Sequence, residues 1–384
     1  MKNLKFSNYI FLLMWITFSS CKKEELALRD TTELQKSFQK ILDDIVAEDE
    51  LVFNGILLVD IPKYKLHWKS AVGKTASNTA LPPDAQFRTA SIGKTFLAAL
   101  ALRLVEDGKI ALDDKLSKYL PVSIMNNLMV YNGTDYSNQI TIRQCLTHTS
   151  GIGDYFFENP DENGFPQFIQ LILGNPEQFW TPQATIEYTK ENIPPHFEPG
   201  KGFFYSDTGY NLVGLALENA TSKSLNDLYK EYIFNPLNLK NTYMEFREPP
   251  RGGVVGIGVS QSYFLDIDIT DFQSISADWA GGGLITNTED LYTFINALTK
   301  GTFFKKSDSF SMMQQGFIEE YGMGWIKQSI GGELIVGHDG SYSSFMYKWN
   351  DITITGTLNQ FEPKNGSFKV QLIEQLIQKI KAFN

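Results

Sequence analysis

Residues 88–94 read Arg-Thr-Ala-Ser-Ile-Gly-Lys, and an apolar run, TFLAALALRLVE, follows at 95–106. This run ends at Asp107-Gly108 and predicts a buried helix that begins just after Ser91. Ser91 and Lys94 are three residues apart, so on a helix they share one face. The hydroxyl would then lie beside an amine, near backbone N–H groups at a helix N-terminus that can hold a developing oxyanion. Ser91 is therefore a candidate nucleophile.

The Ser-x-x-Lys pattern is not specific by itself. It recurs at 37–40 (SFQK), in a polar amphipathic segment, where we interpret it as chance. Gly93-Lys94-Thr95 resembles the end of a phosphate-binding loop, but that motif needs a glycine five residues before Gly93, and Arg88 stands there. The interpretation of Ser91 therefore depends on other segments of the chain.

Three further segments carry polar residues in an ordered series: LTHTSG at 146–151, FFYSDTGY at 203–210 and GHDGS at 337–341. Together with the Ser91 motif they resemble the motifs of the serine β-lactamase and penicillin-binding protein family, in its class C and DD-peptidase or esterase branch. FNPLNL at 234–239 and AGGGLITNTEDLYTFINAL at 280–298 resemble linking segments of that family. The resemblance covers nearly the whole chain after the N-terminus.

The resemblance implies a role for each residue that would move protons. Ser91 would form an acyl-enzyme, and Lys94 and Tyr205 would share proton transfer at the serine and the leaving group. His338 takes the place of the lysine in the family's Lys-Thr-Gly strand. His148 is interpreted as a structural residue, because its threonine neighbours indicate a hydrogen-bonded turn.

The resemblance also implies the residues that would hold the substrate. The backbone N–H groups of Ser91 and Ser341 would form an oxyanion hole. Asp207, Asp339 and Gly340 would contact the substrate.

The sequence departs from the family pattern at two of these positions. The usual Tyr-x-Asn reads Tyr205-Ser206-Asp207, and the middle of His-x-Gly is Asp339 in place of Ser or Thr. An Asp beside Lys94 would favour the ammonium form and shift proton transfer toward Tyr205. An Asp339 that faces the pocket would repel anions. We therefore expect weak activity on penicillins and D-Ala-D-Ala ends, and better activity on esters or on amides without a carboxylate, such as D-amino-acid amides.

The N-terminus predicts export and lipidation. Lys2 and Lys5 precede an apolar stretch at 9–18, and small residues then lead to Cys21. We predict a lipoprotein signal peptide at 1–20, a lipid anchor on Cys21, a tether at 21–32 and a place in the bacterial cell envelope, periplasmic or on the surface. A simple secretion signal or a membrane anchor is the alternative.

The remaining chain, 33–384, predicts one serine hydrolase domain of the α/β (α+β) class. Strand patterns near both ends, with helices between, predict an antiparallel sheet built from both termini, flanked by helices, with an inserted mainly helical subdomain at roughly 110–275. Expected strands lie at 53–60, 64–72, 87–89, 334–337, 344–349 and 352–358, and expected terminal helices at 33–47 and 368–380.

Composition limits the classes of partner and cofactor. The formal net charge is −10 and no basic stripe occurs, which argues against nucleic acid as a partner. No His/Cys cluster has metal-ligand spacing, and the implied mechanism needs no cofactor. A small molecule or a peptide is the expected substrate. A class C β-lactamase remains an alternative, as does a non-catalytic binding protein that retains the fold.

Overall fold

The computed structural model describes residues 29–162, 164–361 and 367–383. The predicted signal peptide 1–20, Cys21 and most of the predicted tether lie outside these ranges. None of the helices in the described ranges is long and apolar enough to cross a membrane.

The helices are α1 (Thr32–Glu48), α2 (Gly93–Glu106), α3 (Val122–Met125), α4 (Ile142–Leu146), α5 (Gln167–Gly174), α6 (Pro182–Asn192), α7 (Asp207–Thr221), α8 (Leu225–Tyr229), α9 (Trp279–Gly282), α10 (Thr288–Thr299), α11 (Ser309–Met313) and α12 (Ser367–Phe383). The strands are β1 (Gly55–Ile61), β2 (Leu66–Val72), β3 (Phe87–Arg88), β4 (Val130–Tyr131), β5 (Thr134–Asp135), β6 (Tyr243–Met244), β7 (Tyr263–Phe264), β8 (Ile267–Asp268), β9 (Leu284–Thr286), β10 (Ile326–Ile330), β11 (Glu333–Gly340), β12 (Ser344–Trp349), β13 (Ile352–Thr357) and β14 (Gln360–Phe361).

The main sheet joins the two ends of the described chain. Its six strands run in the order β10-β11-β12-β13-β1-β2. Strand β1, from the N-terminal part, pairs antiparallel with β13, and Leu58 lies opposite Thr355. The other pairs of this sheet are antiparallel as well. The predicted fold class, with strands from both termini in one sheet, is confirmed.

Each face of the sheet packs against helices, because side chains alternate along every strand. Leu57 and Val59 of β1 share a core with α1 and α12, whereas Ile56 joins the core around α2. The first core is supplied by the apolar stripes of the two terminal helices: Leu34, Phe38, Ile41, Leu42 and Ile45 of α1, and Leu372, Ile373, Leu376, Ile377 and Ile380 of α12.

The segment from about 110 to 275 carries α3 to α8 and the short strands β4 to β8. Within it, α7 is the helix that packs against α2 and α9. The first residues of α2 and α7 lie next to each other, since Lys94 near the start of α2 forms an ion pair with Asp207, the first residue of α7. This meeting of two helix N-termini defines the site described below.

The structure corrects several predicted boundaries and adds a strand to the main sheet. The edge strand Ile326–Ile330 was not predicted, because IKQSI lacks an apolar alternation and most of its side chains are partly exposed. The second strand starts at Leu66 rather than at residue 64, since Pro62–Tyr64 forms a 3₁₀ turn that ends at a left-handed Lys65 with φ 49°. The last helix continues to Phe383.

Candidate active site

Ser91 lies in a 3₁₀ turn, Ala90–Ile92, that leads directly into α2. The turn is reached through Ala90, whose φ of 44° is left-handed and costs conformational energy for a residue with a Cβ. One helical turn later, the Lys94 ammonium nitrogen lies 2.9 Å from the Ser91 hydroxyl oxygen. The two residues are therefore in contact, as their spacing predicted.

Lys94 is fully buried, and its side chain has three acceptors. Its Nζ donates to Ser91 Oγ, to the Gly281 carbonyl oxygen at 3.1 Å and to the Asp207 carboxylate. Three acceptors match the three N–H bonds of an ammonium group. Burial alone would lower the pKa of Lys94, but attraction to Asp207, with smaller contributions from Tyr205 and Asp278, outweighs it and raises that pKa. Lys94 is thus a cation at neutral pH, the charge state expected for a lysine beside Asp207.

Tyr205 packs against the same lysine and lines the pocket. The Lys94 nitrogen is 4.9 Å from the centroid of its ring. Burial raises the pKa of Tyr205, while the Lys94 charge and hydrogen bonding with Ser91 and Lys94 partly counter this, and the net direction is upward. Tyr205 is therefore a neutral phenol at neutral pH, in reach of the Ser91 hydroxyl.

A pocket of about 230 Å³ opens above Ser91. The residues that line it are Ser91, Phe157, Tyr205, Ile326, His338, Asp339, Gly340, Ser341 and Lys369. Within the described residues, neither the Ser91 N–H nor the Ser341 N–H donates to another backbone or side-chain group. The two amides predicted as an oxyanion hole are therefore available to a bound oxygen atom.

Gly340 brings the end of β11 against the Ser91 turn. A Cβ built there would lie 2.4 Å from the Thr89 carbonyl oxygen and 2.8 Å from the Ala90 side chain. The Ser344 hydroxyl adds a direct bond between the two segments, donating to Thr89 O at 2.7 Å. Only glycine allows this approach, which places Ser341 on the same pocket as Ser91.

The two aspartates predicted to contact the substrate lie in different surroundings. Asp207 is 3% exposed and is not among the described residues that line the pocket, so it is a partner of Lys94 rather than a group offered to the substrate. Asp339 does line the pocket, but Lys369 Nζ lies 3.1 Å from its carboxylate, and the Tyr347 hydroxyl donates to the same group. The negative charge of Asp339 is therefore balanced within the pocket wall.

The protonation of Asp339 agrees with this pairing. Burial would raise the pKa of Asp339, but Lys369, His338 and Tyr347 together lower it below the usual aspartate range. The expected repulsion of anionic substrates is thus offset by the Lys369 ammonium, which reaches the pocket from α12.

His338 supplies no cation to the pocket wall at neutral pH. It is 1% exposed, and burial, assisted by the nearby Lys94 and Lys369 charges, lowers its pKa to about 4. Its Nδ1 lies 2.7 Å from the Asp339 carbonyl oxygen and its Nε2 lies 3.1 Å from the Tyr321 hydroxyl. The position that is lysine in the family's Lys-Thr-Gly strand is here a neutral imidazole.

Several residues near the site were not predicted from the sequence. Tyr321 lies in YGMGW at 321–325, where the Gly324 carbonyl accepts a hydrogen bond from Thr95 on α2. The two closely spaced glycines of this segment were the one sequence feature that could have drawn attention to it. Asp154 accepts the Asp207 backbone N–H at 3.0 Å. Lys369 is one of several polar residues on an amphipathic helix, and nothing in its local sequence sets it apart.

In the described part of the chain, no group of three or more His, Cys, Asp or Glu side chains is placed to hold a metal ion. Cys145 is a free, buried thiol, and burial raises its pKa to about 12. It packs as a small core residue.

Comparison with known sequences relates this chain to one family over most of its length. Residues 38–376 match the family model described as Beta-lactamase. Penicillin-binding protein 4* of Bacillus subtilis is 28% identical over 324 residues, which are 78% of this chain and 66% of that protein. N-acetylmuramyl-L-alanine amidase of the same organism is 28% identical over 311 residues, 73% of this chain and 66% of that protein. The chain thus spans just under two-thirds of these relatives.

Solved structures share the architecture. D-amino acid amidase from Ochrobactrum anthropi SV3 superposes with a TM-score of 0.74 at 22% identity, over 92% of this chain and 99% of that one. D-stereospecific amidohydrolase from Streptomyces sp. superposes with a TM-score of 0.69 at 25% identity, over 88% of this chain and 97% of that one. With its matched span, its sheet and its Ser91–Lys94–Tyr205 arrangement, this chain belongs to the Beta-lactamase family of hydrolases.

Proposed function

We propose that this protein hydrolyses amide bonds in small or peptide-like substrates through an acyl-enzyme on Ser91. The contact that carries the proposal is the Lys94 ammonium, which joins Ser91 Oγ to the Asp207 carboxylate beneath the pocket. The names of three relatives support an amide substrate, since two are called an amidase and an amidohydrolase and the third a penicillin-binding protein.

The charge states assign the proton work to Tyr205. Lys94 has no lone pair to offer while it is an ammonium, so it acts as a fixed positive charge beside Ser91. As Ser91 Oγ bonds to the substrate carbonyl carbon, its proton passes to the Tyr205 oxygen, and the Tyr205 proton passes to the leaving nitrogen. The phenol is neutral before and after this step. The C–N bond breaks, and the amine leaves with the proton it has gained.

The same groups serve deacylation in reverse. Water gives a proton to Tyr205 as its oxygen attacks the ester carbon, and Tyr205 returns a proton to Ser91 Oγ. In both steps the carbonyl oxygen becomes negative, and the free N–H groups of Ser91 and Ser341 donate to it. Losing one such donor typically costs about 10²–10³ in rate.

The balanced charge of the pocket wall sets the proposed substrate range. Asp339 and Lys369 offset each other, and Asp339 is the one ion-pair partner of Lys369 within the described residues. The Lys369 ammonium can therefore donate to a substrate carboxylate as well. The proposed substrates therefore include amides that end in a carboxylate. The weak activity on them that we expected from the sequence assumed an uncompensated charge on Asp339, which Lys369 balances.

Intact-mass spectrometry of the protein with a substrate panel tests the proposal. The panel holds a D-amino-acid amide, a D-Ala-D-Ala peptide, a p-nitrophenyl ester and nitrocefin, and Ser91→Ala is the control. We expect an acyl adduct on the wild type only, and turnover of an amide. Fast turnover of nitrocefin alone would assign the protein as a β-lactamase. Absence of any adduct, together with no labelling by a fluorophosphonate, would instead favour a non-catalytic binding protein.

We also propose that the protein is anchored to the bacterial cell envelope by lipid on Cys21. The proposal rests on the basic, apolar and small residues of 1–21. Expression of the full chain should yield a lipid-modified N-terminus by mass spectrometry. A Cys21→Ser variant that partitions into detergent as the wild type does would contradict it.

A further inference from the structure

A chain of buried hydrogen bonds runs behind the Tyr205 ring. His148 Nε2 lies 3.0 Å from the Tyr321 hydroxyl, and that hydroxyl lies 3.1 Å from His338 Nε2. The three side chains are 1%, 5% and 1% exposed. They come from three segments: the loop after α4, the loop before β10, and β11. The sequence predicts only a turn at His148 and indicates no role for Tyr321.

Two backbone groups fix the direction of every proton in this chain. The Ser206 N–H donates to His148 Nδ1 at 3.0 Å, so the proton of a neutral His148 must be on Nε2. His148 Nε2–H then donates to the Tyr321 oxygen, and the Tyr321 hydroxyl donates to His338 Nε2. His338 is left with its proton on Nδ1, where it meets the Asp339 carbonyl oxygen at 2.7 Å. Each imidazole nitrogen has one partner, and the Tyr321 oxygen accepts from one imidazole and donates to the other. A further proton on either imidazole would put two hydrogens into one contact.

His148 also holds the backbone on both sides of Tyr205. Its carbonyl accepts from the Phe204 N–H at 2.9 Å, and its Nδ1 accepts from the Ser206 N–H. Its ring stacks on the Tyr205 ring, with centroids 4.1 Å apart and planes at 29°. The Tyr321 ring meets Tyr205 edge-on, with centroids 5.9 Å apart. These two residues thus pack against the Tyr205 ring, one on its face and one at its edge.

We infer that His148 and Tyr321 are positioning residues, which hold the Tyr205 phenol at the Ser91 hydroxyl and tie it to the pocket wall at His338. Neither touches the reacting atoms. The inference rests on the proposed function for its catalytic part. The hydrogen-bond chain makes the position of Tyr205 depend on the Tyr321 hydroxyl, 116 residues away in the sequence. This hydroxyl links the two imidazoles.

Kinetics of p-nitrophenyl acetate hydrolysis test the catalytic part. Tyr321→Phe keeps the ring and removes the shared hydroxyl, so we expect kcat and kcat/KM to fall together, on the order of 10–100-fold, as for a small misplacement of a reacting group. His148→Asn keeps an acceptor for Ser206 and tolerates the left-handed φ of 57°, and it should retain more activity than His148→Ala. Tyr119→Phe, which removes a tyrosine hydroxyl bonded to Asp114 outside the site, is the matched control. A Tyr321→Phe enzyme with kcat within twofold of the control would overturn the inference.

Nitrogen-15 NMR of labelled histidine tests the chain without any substrate. The protein has four histidines, so His148→Asn and His338→Gln assign the relevant signals. We expect the Nε2–H form for His148 and the Nδ1–H form for His338 in the wild type, and a mixture of forms for His338 in Tyr321→Phe. The opposite tautomer at either residue would overturn the chain. If the wild type shows no hydrolysis while the tautomers are as stated, the proposed function fails and the hydrogen-bond chain stands.

Discussion

At the scale of single residues, the pair formed by Lys94 and Asp207 distinguishes this site from the Tyr-x-Asn pattern that its motif resembles. Both side chains are almost completely buried, at 0% and 4% exposure. A buried pair of this kind is held together because either charge alone would be costly to bury. The pair keeps Lys94 charged and leaves Tyr205 as the residue that can move protons.

Replacing Asp207 by Asn should release Lys94 from this charge state. Since an opposite charge at contact distance shifts a pKa by about 1–3 units, we expect the pKa of Lys94 to fall by that amount. The lysine then loses its proton at lower pH and can act as a base. The pH–rate profile for ester hydrolysis should therefore rise with pH in Asp207→Asn, as Lys94 loses its proton, where the wild-type profile does not.

The matched control for this change is Asp113→Asn, which breaks a 2.7 Å ion pair with Arg143 away from the site. Its profile should coincide with that of the wild type. Identical profiles for all three proteins would show that Asp207 does not set the charge state of Lys94.

Local motifs explain which site residues were predictable. The spacing of Ser91 and Lys94 predicts that they share a helix face. The order of the short motifs in the chain then identifies the other predicted residues: Tyr205, His338, Gly340 and Ser341. Tyr321 and Lys369 reach the site only because separate elements pack together. The sequence also does not show which charges pair in the folded chain. Asp339 could therefore be predicted at the pocket, but its ion pair with Lys369 could not.

At the scale of elements, the site depends on how closely the end of β11 approaches the turn before α2. Substituting Gly340 by Ala would place a methyl group 2.4 Å from the Thr89 carbonyl. The strand must then move away, and Ser341 with it. We expect the rate of Ser91 labelling by a fluorophosphonate to fall about 10²-fold, because an ångström of misplacement has that effect. Gly174→Ala, at a glycine with open space around it, should label normally, and equal rates for the two variants would refute the argument.

Helix α12 contributes Lys369 to the pocket. The effect of this side chain on substrate specificity can therefore be separated from the effect of the helix on packing. Lys369→Gln removes the ammonium beside Asp339. A hydrogen bond to a charged group contributes about 1.5–3 kcal/mol, so the preference for a carboxylate-ended over a carboxamide-ended substrate should fall about 10–100-fold in kcat/KM. The control is Lys381→Gln, which is on the same helix and loses an ion pair with Glu333 of β11. An unchanged preference in Lys369→Gln would mean that the ammonium does not meet the substrate.

At the scale of the whole molecule, buried acids near Lys94 should make stability depend on pH. Burial, reinforced by repulsion from Asp207, raises the pKa of Asp278 to about 7. The unfolded chain has this group at about 3.9. The folded state therefore holds a proton that the unfolded state has lost, and the associated stability is present at acid pH and is lost as pH rises toward and past 7.

Urea unfolding at pH 6 and pH 8 measures this loss. For Asp278 alone we expect roughly 1 kcal/mol less stability at pH 8 than at pH 6. Asp278→Asn, which cannot ionise, should show a smaller decrease than the wild type. Equal decreases in the two proteins would place the titrating group elsewhere, for example at Asp154, whose pKa burial also raises.

The overall architecture was predictable because its strongest signals are long. The apolar stripes of α1 and α12 and the apolar strands near both ends indicated one sheet with two covering helices. Edge strand β10 was missed because a half-exposed strand needs no apolar alternation. The boundaries at Pro62–Tyr64 and Ala90–Ile92 depend on 3₁₀ turns, for which the residues give only weak local preferences.

The pairing of β1 with β13 has a consequence for the chain while it is being made. Ile56 is synthesised 301 residues before Thr357, its partner in the sheet. Between Ser91 and Ser341 lie roughly 10 to 50 seconds of synthesis at about 5–20 residues per second. During that interval the nucleophile exists without its second oxyanion donor, without His338 and without the strand that holds them. The serine of the nascent polypeptide therefore stays inert until β11 has been synthesised and has paired.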